Sequence, residues 1–494
     1  MQFIHKLNLK YNKKNYLIFF IISFFPLFLV SGPFLPDFFC VILGLVFLHT
    51  LYVEKNLSVL YKNNYFIYFI LIFIYLNLNS FFSFNQEISF SKSLPFIRII
   101  LFIFALSFFL NRYPNLYKNF FYCFLMLLFF IFLDSLTQLL FNYNVFGTKI
   151  NFDNRVSSFF GDEKIMGSFI TRLLPIIISI SFIIKLKKRL IINFFILIFS
   201  SILVFLSAER LAMFYLLSFL IFYFFITKKF FFKFISLIFV CIFFINLYNP
   251  TFSGRIISST IKQINQTKTI TSFRHLLHYK TAYEMFIDNK IFGHGLKSFR
   301  NLCSKDKYVT KIQETIKEEN NFYYVAKADG FFYKTENTLT IKYINLSQFP
   351  PVGSIKKEIS IPYDPGKNYL FILKKNEEKF SKGDKLFMRY EYINGCNTHP
   401  HNIYLEFLSE LGLIGLLLFS VIMFYCLIKL SFFLKNYLLD SKINDLLISK
   451  NLILFGIFIQ MFPLTPSGSF FNNYMLLIFH LSIGFYLSVL KVKE

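Results

Sequence analysis

Long apolar stretches separated by short polar connections make up most of this chain. A helix that crosses a bilayer needs roughly 20 mostly apolar residues, and these stretches come close to that length. They lie near residues 16–33, 36–53, 65–82, 94–110, 119–141, 165–185, 190–207, 210–227, 230–247, 403–430, 449–466 and 472–490. The pattern therefore predicts an all-α polytopic membrane protein with about 12 transmembrane helices.

Basic residues gather in alternate connections of this predicted bundle. The basic connections are residues 54–64, 112–118, 185–189, 228–229 and 435–450, with the tail at 491–494. Short loops rich in Lys and Arg stay on the cytoplasmic side, so we expect both termini inside. The basic start leads into an apolar stretch without a small-residue cleavage site, which predicts a retained first span. The chain then divides into helices 1 to 9 (1–247), one large outside loop (248–402) and helices 10 to 12 (403–494).

Composition supports this class of protein. Hydrophobic residues make up 55% of the chain, which includes 75 Phe and has a mean hydropathy of +0.55. A water-soluble globule cannot hide that much apolar surface, so the excess must face lipid. The net charge of +25 would suggest nucleic acid in a soluble protein. Here the cations flank apolar spans, so the expected partner is the membrane lipid and no nucleic acid.

The large outside loop carries a different pattern. Short stretches separated by Pro, Gly and Asn predict strands at 322–326, 338–344, 355–361, 369–373 and 385–393, and so a small β-rich insertion at about 304–395. Cys303 and Cys396 bracket this insertion, whereas the other four cysteines lie in apolar spans. A disulfide between Cys303 and Cys396 would join the two ends of the insertion in an oxidising compartment. Two free thiols are the alternative.

The segment where this loop returns to the bilayer is the richest in chemistry. It contains His399-Pro400-His401-Asn402, and Asn402, Glu406 and Glu410 recur at every fourth residue, which places them on one helical face. A histidine beside a polar stripe at the mouth of a helix is a candidate general base, and we assign that role to His401. Two alternatives stay open. His399 and His401 could bind a metal, although no third ligand is evident, or the segment could serve only capping and interfacial packing.

Four arginines form a second constellation near the same predicted face: Arg155, Arg172, Arg210 and Arg274. A single arginine near a membrane surface is usually an anchor. Several that converge on one face favour an anionic ligand, because guanidinium groups bind phosphate oxygens in a bidentate way. Gly293-His294-Gly295 lacks the third glycine of a dinucleotide-binding loop, so it indicates a turn.

Together these motifs resemble the O-antigen ligase and O-antigen polymerase superfamily of bacterial envelope glycosyltransferases. The resemblance runs from about residue 134 to 415. Its matching pieces, in chain order, are Arg155 with Phe160-Gly161-Asp162-Glu163, then Ser207 to Arg210, then Arg274 through Gly295, and finally His399 to Asn402 with Glu410-Leu411-Gly412.

The resemblance implies a metal-independent, inverting transfer of a glycan from an undecaprenyl-diphosphate carrier, without a cofactor, at the periplasmic face of the bacterial inner membrane. His401 takes the place of the catalytic histidine, and Arg210 and Arg274 take the places of the diphosphate-binding arginines. We expect Arg155 and Arg172 to assist in substrate binding and Glu163, His399, Asn402 and Glu410 to support the site. The long segment between Cys303 and Cys396 departs from the family pattern, so the acceptor stays open.

Three functions fit these expectations to different degrees. We favour the ligase, with lipid A core as acceptor, because of the His-Asn-x-x-Leu pattern at His401 to Leu405; a polymerase that extends a growing polysaccharide uses the same donor. A polysaccharide or lipid transporter is the non-enzyme alternative. A transporter would place polar groups through the bilayer midplane, where this sequence offers chiefly Asp134, Arg98 and Glu410. A structural membrane protein would leave the Arg and His residues unexplained.

Overall fold

The computed structural model describes residues 13–150, 155–161, 163–248, 254, 260–261, 264, 273–303, 305, 307–308, 330–334, 338–343, 357–362, 395–439, 444–463 and 465–492. The first eleven helices run in chain order as α1 Lys13–Val30, α2 Phe34–Val53, α3 Ser58–Tyr61, α4 Asn64–Phe81, α5 Gln86–Ser93, α6 Phe96–Arg112, α7 Asn115–Phe141, α8 Met166–Ile183, α9 Arg189–Ser207, α10 Arg210–Thr227 and α11 Phe231–Tyr248. After them come α12 Phe273–Asp288, α13 Phe299–Leu302, α14 Ile403–Glu406, α15 Gly412–Leu439, α16 Asp445–Gln460 and α17 Asn473–Leu490.

A helix occupies each apolar window that the sequence pattern marks. Within the described residues, nine helices are long and apolar enough to cross a membrane by length and composition. Helices α1, α11 and α16 are apolar as well, but they fall short of that length or composition. The chain is therefore a mostly helical, multi-pass membrane protein, and the count of about 12 spans stays a prediction.

Asparagine side chains begin several of these helices. The Oδ1 of Asn63 accepts a hydrogen bond from the backbone N–H of Tyr65, and Asn472 does the same for Tyr474. Such a cap satisfies one of the backbone donors that the first turn of a helix leaves unpaired. Asn85, Asn402 and Asn444 cap α5, α14 and α16 in the same way. The apolar bodies of α4, α16 and α17 thus each start at a polar residue.

The two ends of the bundle are held by different contacts. At one end, the Arg189 guanidinium contacts both carboxylate oxygens of Asp445 at 2.5 and 2.6 Å, and Arg112 pairs with Glu54 at 2.6 Å. These four residues lie at basic connections or their borders, which the charge pattern places together. At the other end, the loop before α5, the turn after α12 and the segment between α14 and α15 meet. Backbone hydrogen bonds join Phe84 to His294 at 3.0 Å and His294 to Ser409 at 3.1 Å.

Three antiparallel strands lie where the sequence predicts the β-rich insertion. They are β1 Gly330–Lys334, β2 Thr338–Tyr343 and β3 Lys357–Pro362, in the order β1-β2-β3. Strands β2 and β3 overlap two predicted strands, whereas β1 lies between predicted positions. The predicted strands at 322–326, 369–373 and 385–393 lie outside the described residues. The insertion as a compact module therefore stays a prediction.

The helix that follows His401 is less regular than its sequence period implies. The chain forms one α-helical turn, α14, then a π-helical turn at Phe407–Leu411, and only then α15. Gly412, at the junction, has φ +67°, and a Cβ there would lie 2.3 Å from the Ile291 carbonyl oxygen. The sequence predicts that Asn402, Glu406 and Glu410 share one helical face, but the helix departs from α-helical geometry between Glu406 and Glu410. The turn after α12 packs so closely here that the backbone departs from α-helical geometry.

Candidate active site

His401 lies in a turn that the backbone holds in a strained conformation. Its φ of +58° is in the left-handed region, which a residue other than glycine adopts at some cost. The backbone N–H of Ser467 donates to the His401 carbonyl oxygen at 2.8 Å. The adjacent Asn402 caps α14 and donates from Nδ2 to the Pro463 carbonyl oxygen at 2.8 Å. The loop between α16 and α17 thus fixes the turn from one side.

The disulfide predicted between Cys303 and Cys396 is present and fixes the turn from the other side. The two Cα atoms lie 4.9 Å apart, although the residues are 93 positions apart in sequence. Nδ1 of His278, in α12, donates to the Gly395 carbonyl oxygen at 2.9 Å. A Cβ at Gly395 would lie 2.2 Å from Thr281 Oγ1, so only glycine permits this approach. The segment that carries His401 is therefore attached to α12 and α13.

Three other histidines surround the His401 ring. Its centroid lies 4.1 Å from that of His399, 5.0 Å from that of His275 and 5.3 Å from that of His278. Nδ2 of Asn397 donates to His401 Nε2 at 2.9 Å. Because an amide nitrogen can only donate, Nε2 accepts and carries no proton. His275 and His278 were missed by sequence reasoning, although their spacing with Arg274 in one helix is visible in the sequence.

Burial keeps the imidazoles of His399 and His401 neutral. Burial, helped by the charges of His399, His275 and His278, lowers the pKa of His401 far below its ordinary value. Burial and the nearby Lys297 lower the pKa of His399 to about 4. His399 Nε2 is also buried without a hydrogen-bond partner among the described residues. The cluster therefore offers a neutral base beside an unsatisfied polar atom.

A buried cluster of charged residues lies near His399, with which its member Lys297 interacts electrostatically. The carboxylate of Glu406 accepts from Ser469 Oγ at 2.5 Å and from the Phe470 backbone N–H at 2.8 Å. Glu410 accepts from the backbone N–H of Lys297 at 2.8 Å, and Lys297 Nζ lies 3.9 Å from Glu406. Each of these charged side chains is at most 5% exposed. Glu406 and Glu410 thus hold the flanking loops against the base of α15.

Two of the predicted arginines, Arg155 and Arg172, lie near a second buried carboxylate, that of Glu209. Its oxygens accept from the backbone N–H groups of Gly167 at 2.7 Å and Ser168 at 3.2 Å, which caps the start of α8. Burial raises the pKa of Glu209, while Arg155 and Arg172 act in the opposite direction. Sequence reasoning passed over Glu209 as a turn residue. Its position directly before the helix that Arg210 begins was the available signal.

Arg172 is a buried guanidinium in the first half of α8. It is 4% exposed and lies 5.7 Å from the centre of the Tyr215 ring. Its Nε has no hydrogen-bond partner within the described part of the chain. Arg155 is positioned by the loop after α7, where Gln138 Oε1 accepts from the backbone N–H of Ser157 at 3.0 Å. Glu163, farther along that loop, is exposed.

The structure brings the remaining predicted residues to the same end of the bundle by different routes. Arg210 is the first residue of α10 and is exposed, and the nearby Phe214 ring packs on Phe462 at 5.5 Å. Phe462 precedes Pro463, whose carbonyl oxygen accepts the hydrogen bond from Asn402. Arg274, within the large loop predicted at 248–402, lies in α12, directly before His275. Its side chain lies outside the described part, so the convergence of Arg210, Arg274 and His401 in one cavity stays a prediction.

Among the described residues, no group of three or more His, Cys, Asp or Glu side chains has the geometry to hold a metal ion, so the structure adds no third ligand to His399 and His401. The turn at 293–295 is present as expected, and the φ values of Gly293 and Gly295 are +68° and +98°. A Cβ at Gly293 would lie 2.5 Å from the Gly412 backbone nitrogen, so this turn packs against the start of α15.

Comparison with known proteins gives one match. Residues 194–339 match the family model described as O-antigen ligase, a segment that includes α9 to α13, Arg210 and Arg274. His401 lies beyond the matched segment. A search of curated proteins and a search of solved structures gave no match. The match supports the resemblance drawn from the sequence motifs, because residues 194–339 are similar to the O-antigen ligase family.

Proposed function

We propose that this protein transfers a glycan from an undecaprenyl-diphosphate carrier to an acceptor hydroxyl at the periplasmic face of the inner membrane, as an O-antigen ligase. The observation that carries the proposal is the O-antigen ligase match over residues 194–339. The placement of His401 beside α12, which lies within that matched segment, gives it geometric support.

The reaction requires two kinds of group. The acceptor oxygen forms a bond to the anomeric carbon of the glycan as the bond from that carbon to the diphosphate oxygen breaks, and the configuration at carbon inverts. His401 Nε2 takes the proton of the acceptor hydroxyl, which would replace Asn397 as the donor to this nitrogen. The leaving diphosphate keeps the electron pair of the broken bond. Cations are needed to stabilise its charge.

The electrostatics of the histidine cluster fit this sequence of events. In the free protein His401 is neutral, because burial lowers its pKa. An anionic diphosphate bound nearby would stabilise the imidazolium form and so raise the pKa toward the range of an effective base. Binding of the lipid-diphosphate donor would thus make His401 a stronger base.

The arginines supply the anion site in this proposal. Arg210 and Arg274 bind the diphosphate, and Arg155 and Arg172 extend the positive charge behind them. The unsatisfied Nε of the buried Arg172 supports this assignment, because a buried guanidinium normally completes its hydrogen bonds with a partner or a ligand. The reaction then needs no metal ion, and we expect transfer to be insensitive to chelators.

The β-rich insertion at about 304–395 would lie over the active face and control access of the acceptor. Its two ends are joined by the disulfide with Cα atoms 4.9 Å apart, so a short linker can span the gap. Replacing residues 304–394 by such a linker, which keeps Gly395, should leave donor binding intact and change the use of the acceptor. Loss of donor binding in a folded protein would contradict this role.

The proposed ligase activity has a direct test in cells. Deletion of the gene should remove all capped lipopolysaccharide chains while lipid-linked glycan accumulates. A product with a single capped repeat would instead indicate a polymerase. Unchanged banding, together with altered export of a glycan or lipid, would indicate a transporter and contradict the proposal.

A further inference from the structure

A polar cavity lies at the outer ends of α2, α5, α6 and α17, apart from the histidines and from Arg155, Arg172, Arg210 and Arg274. Its volume is about 160 Å³, enough for a small polar group. The charged residues that line it are Asp37, Lys92 and Arg98, and Asn473 adds a side-chain amide. Nothing in the mechanism above uses these residues.

The hydrogen bonds of the cavity leave donor capacity unused. Arg98 Nε is bonded to Asp37 Oδ1 at 2.7 Å, which fixes the guanidinium. Its Nη2 reaches Asn473 Oδ1 only at 3.4 Å, the long end of the range for a hydrogen bond. Lys92 is half-buried, and its ammonium forms no hydrogen bond or ion pair with another described residue. The Nη1 of Arg98 likewise reaches the Pro95 carbonyl oxygen only at 3.4 Å. Within the described part of the chain, the Lys92 ammonium and part of the Arg98 guanidinium are thus left without a strong acceptor.

The charges around the cavity are unbalanced. Lys92 interacts electrostatically with three cations, Lys297, Arg98 and Arg300, and with one carboxylate, Asp37. Asp37 is already paired with Arg98. A bound anion would relieve the repulsion among the cations, whereas a neutral ligand would not.

The same cations connect the cavity with the candidate active site. Lys297 and Arg300 also interact electrostatically with His399. Phe471 lines the cavity, and the loop just before it holds His401 through Ser467 and Glu406 through Ser469. A group bound in the cavity would therefore be separated from His401 by only the loop between α16 and α17.

We propose that this cavity binds a phosphate or carboxylate group carried by a glycan substrate, with Lys92 and Arg98 as the contacting cations. This inference rests on the proposed function for the presence of a glycan at this face. Such a site would hold a charged sugar at a fixed position relative to His401, and so would select substrates that bear the anion. The phosphate of a lipid headgroup has the same chemistry and is the competing source.

The binding test uses the full chain in nanodiscs of zwitterionic phosphatidylcholine, with glucose 1-phosphate as probe and methyl glucoside as its uncharged counterpart. Lys92→Gln should weaken binding of glucose 1-phosphate about tenfold or more, as expected for loss of a charged hydrogen-bond donor. Lys92→Arg should retain binding within about threefold, since it keeps the charge. Lys118→Gln, at the other end of the bundle, is the matched control and should bind as the unmodified protein does.

Arg210→Gln separates this cavity from the proposed diphosphate site. Retained probe binding in Arg210→Gln together with loss in Lys92→Gln supports the inference. Equal probe binding by Lys92→Gln and the unmodified protein, or equal binding of methyl glucoside, overturns it. A third outcome also overturns it: the unmodified protein does not bind the probe, and in native mass spectrometry Lys92→Gln is the only variant that loses bound phosphatidylglycerol. The occupant of the cavity is then a lipid headgroup. None of these outcomes touches the proposed function, which fails instead if deletion of the gene leaves the lipopolysaccharide banding unchanged.

Discussion

Replacing His401 tests the assigned base most directly, and the backbone decides which replacement is informative. At φ +58° an alanine would keep the strain of the left-handed conformation, which costs about 1–2 kcal/mol for a residue with a Cβ. Asparagine adopts this region more readily. His401→Asn therefore removes the imidazole while it leaves the turn and the Ser467 hydrogen bond in place.

The expected effect follows from what the imidazole does. A positioned general base contributes about a hundredfold to ten-thousandfold in rate, which corresponds to about 3–5 kcal/mol of transition-state stabilisation. The asparagine amide cannot accept the proton, so kcat should fall within that range. Donor binding should persist within about threefold, because the diphosphate contacts belong to the arginines. Removing one neutral ring leaves their charge unchanged.

The assay is single-turnover transfer from a lipid-diphosphate glycan to acceptor by the purified protein, with donor binding measured separately. His399→Asn is the matched control, since it removes an imidazole 4.1 Å away and should cost less than about tenfold. Equal losses in the two variants would mean that the cluster acts only through packing. Transfer by His401→Asn at near-normal rate would refute the reasoning outright.

Three further predictions concern stability and pH. Glu209→Gln should lower the free energy of unfolding by about 1–2 kcal/mol, because the cap on α8 loses its charge beside Arg155 and Arg172. Glu163→Gln, at an exposed position, should leave the melting temperature unchanged, and equal melting temperatures of the two variants would contradict the capping role of Glu209. The double variant Cys303→Ser, Cys396→Ser should lower the free energy of unfolding by at most about 4.6 kcal/mol, the chain-entropy value for a loop of this size, and should also lower the transfer rate. Cys241→Ser should change neither quantity, and an unaltered transfer rate in the double variant would show that the site does not depend on the disulfide. The folded protein holds the pKa of His399 at about 4, against an ordinary value of 6.5, so the unfolded chain binds more protons between these two pH values and stability should fall as the pH drops from 6.5 to 4. A melting temperature of the unmodified protein that stays constant over this range would contradict a buried, neutral His399.

Much of the fold follows from the sequence because the bilayer imposes simple rules. Apolar length predicts each span, and Asn residues such as Asn63 and Asn472 stand where helices begin. The charge pattern groups Arg189 with the connection that contains Asp445, and the structure pairs them. These features depend on residues near one another in sequence or on the membrane itself. They therefore need no knowledge of how the helices pack.

The parts that the sequence could not provide depend on contacts between distant segments. The π-helical turn at Phe407–Leu411 arises where the turn at Gly293 packs against Gly412, more than one hundred residues away in sequence, so no local period reveals it. Glu406 and Glu410 look like a polar stripe for a ligand, but their oxygens accept hydrogen bonds from neighbouring loops. A one-dimensional pattern cannot distinguish a carboxylate that awaits a ligand from one that anchors a loop.

The division of the site between two segments has a physical consequence for the long insertion. The matched segment, 194–339, carries Arg210 and Arg274, whereas His401 lies on a turn that follows the insertion. That turn is tied back to α12 and α13 by the disulfide, by the bond from His278 to Gly395, and by the close approach of Gly395 to Thr281. The closure entropy of a loop grows only slowly with its length once its ends are fixed. The insertion can therefore vary in size at little cost to the position of His401. On the proposed function, acceptor recognition would then be free to change while the geometry of proton transfer is kept.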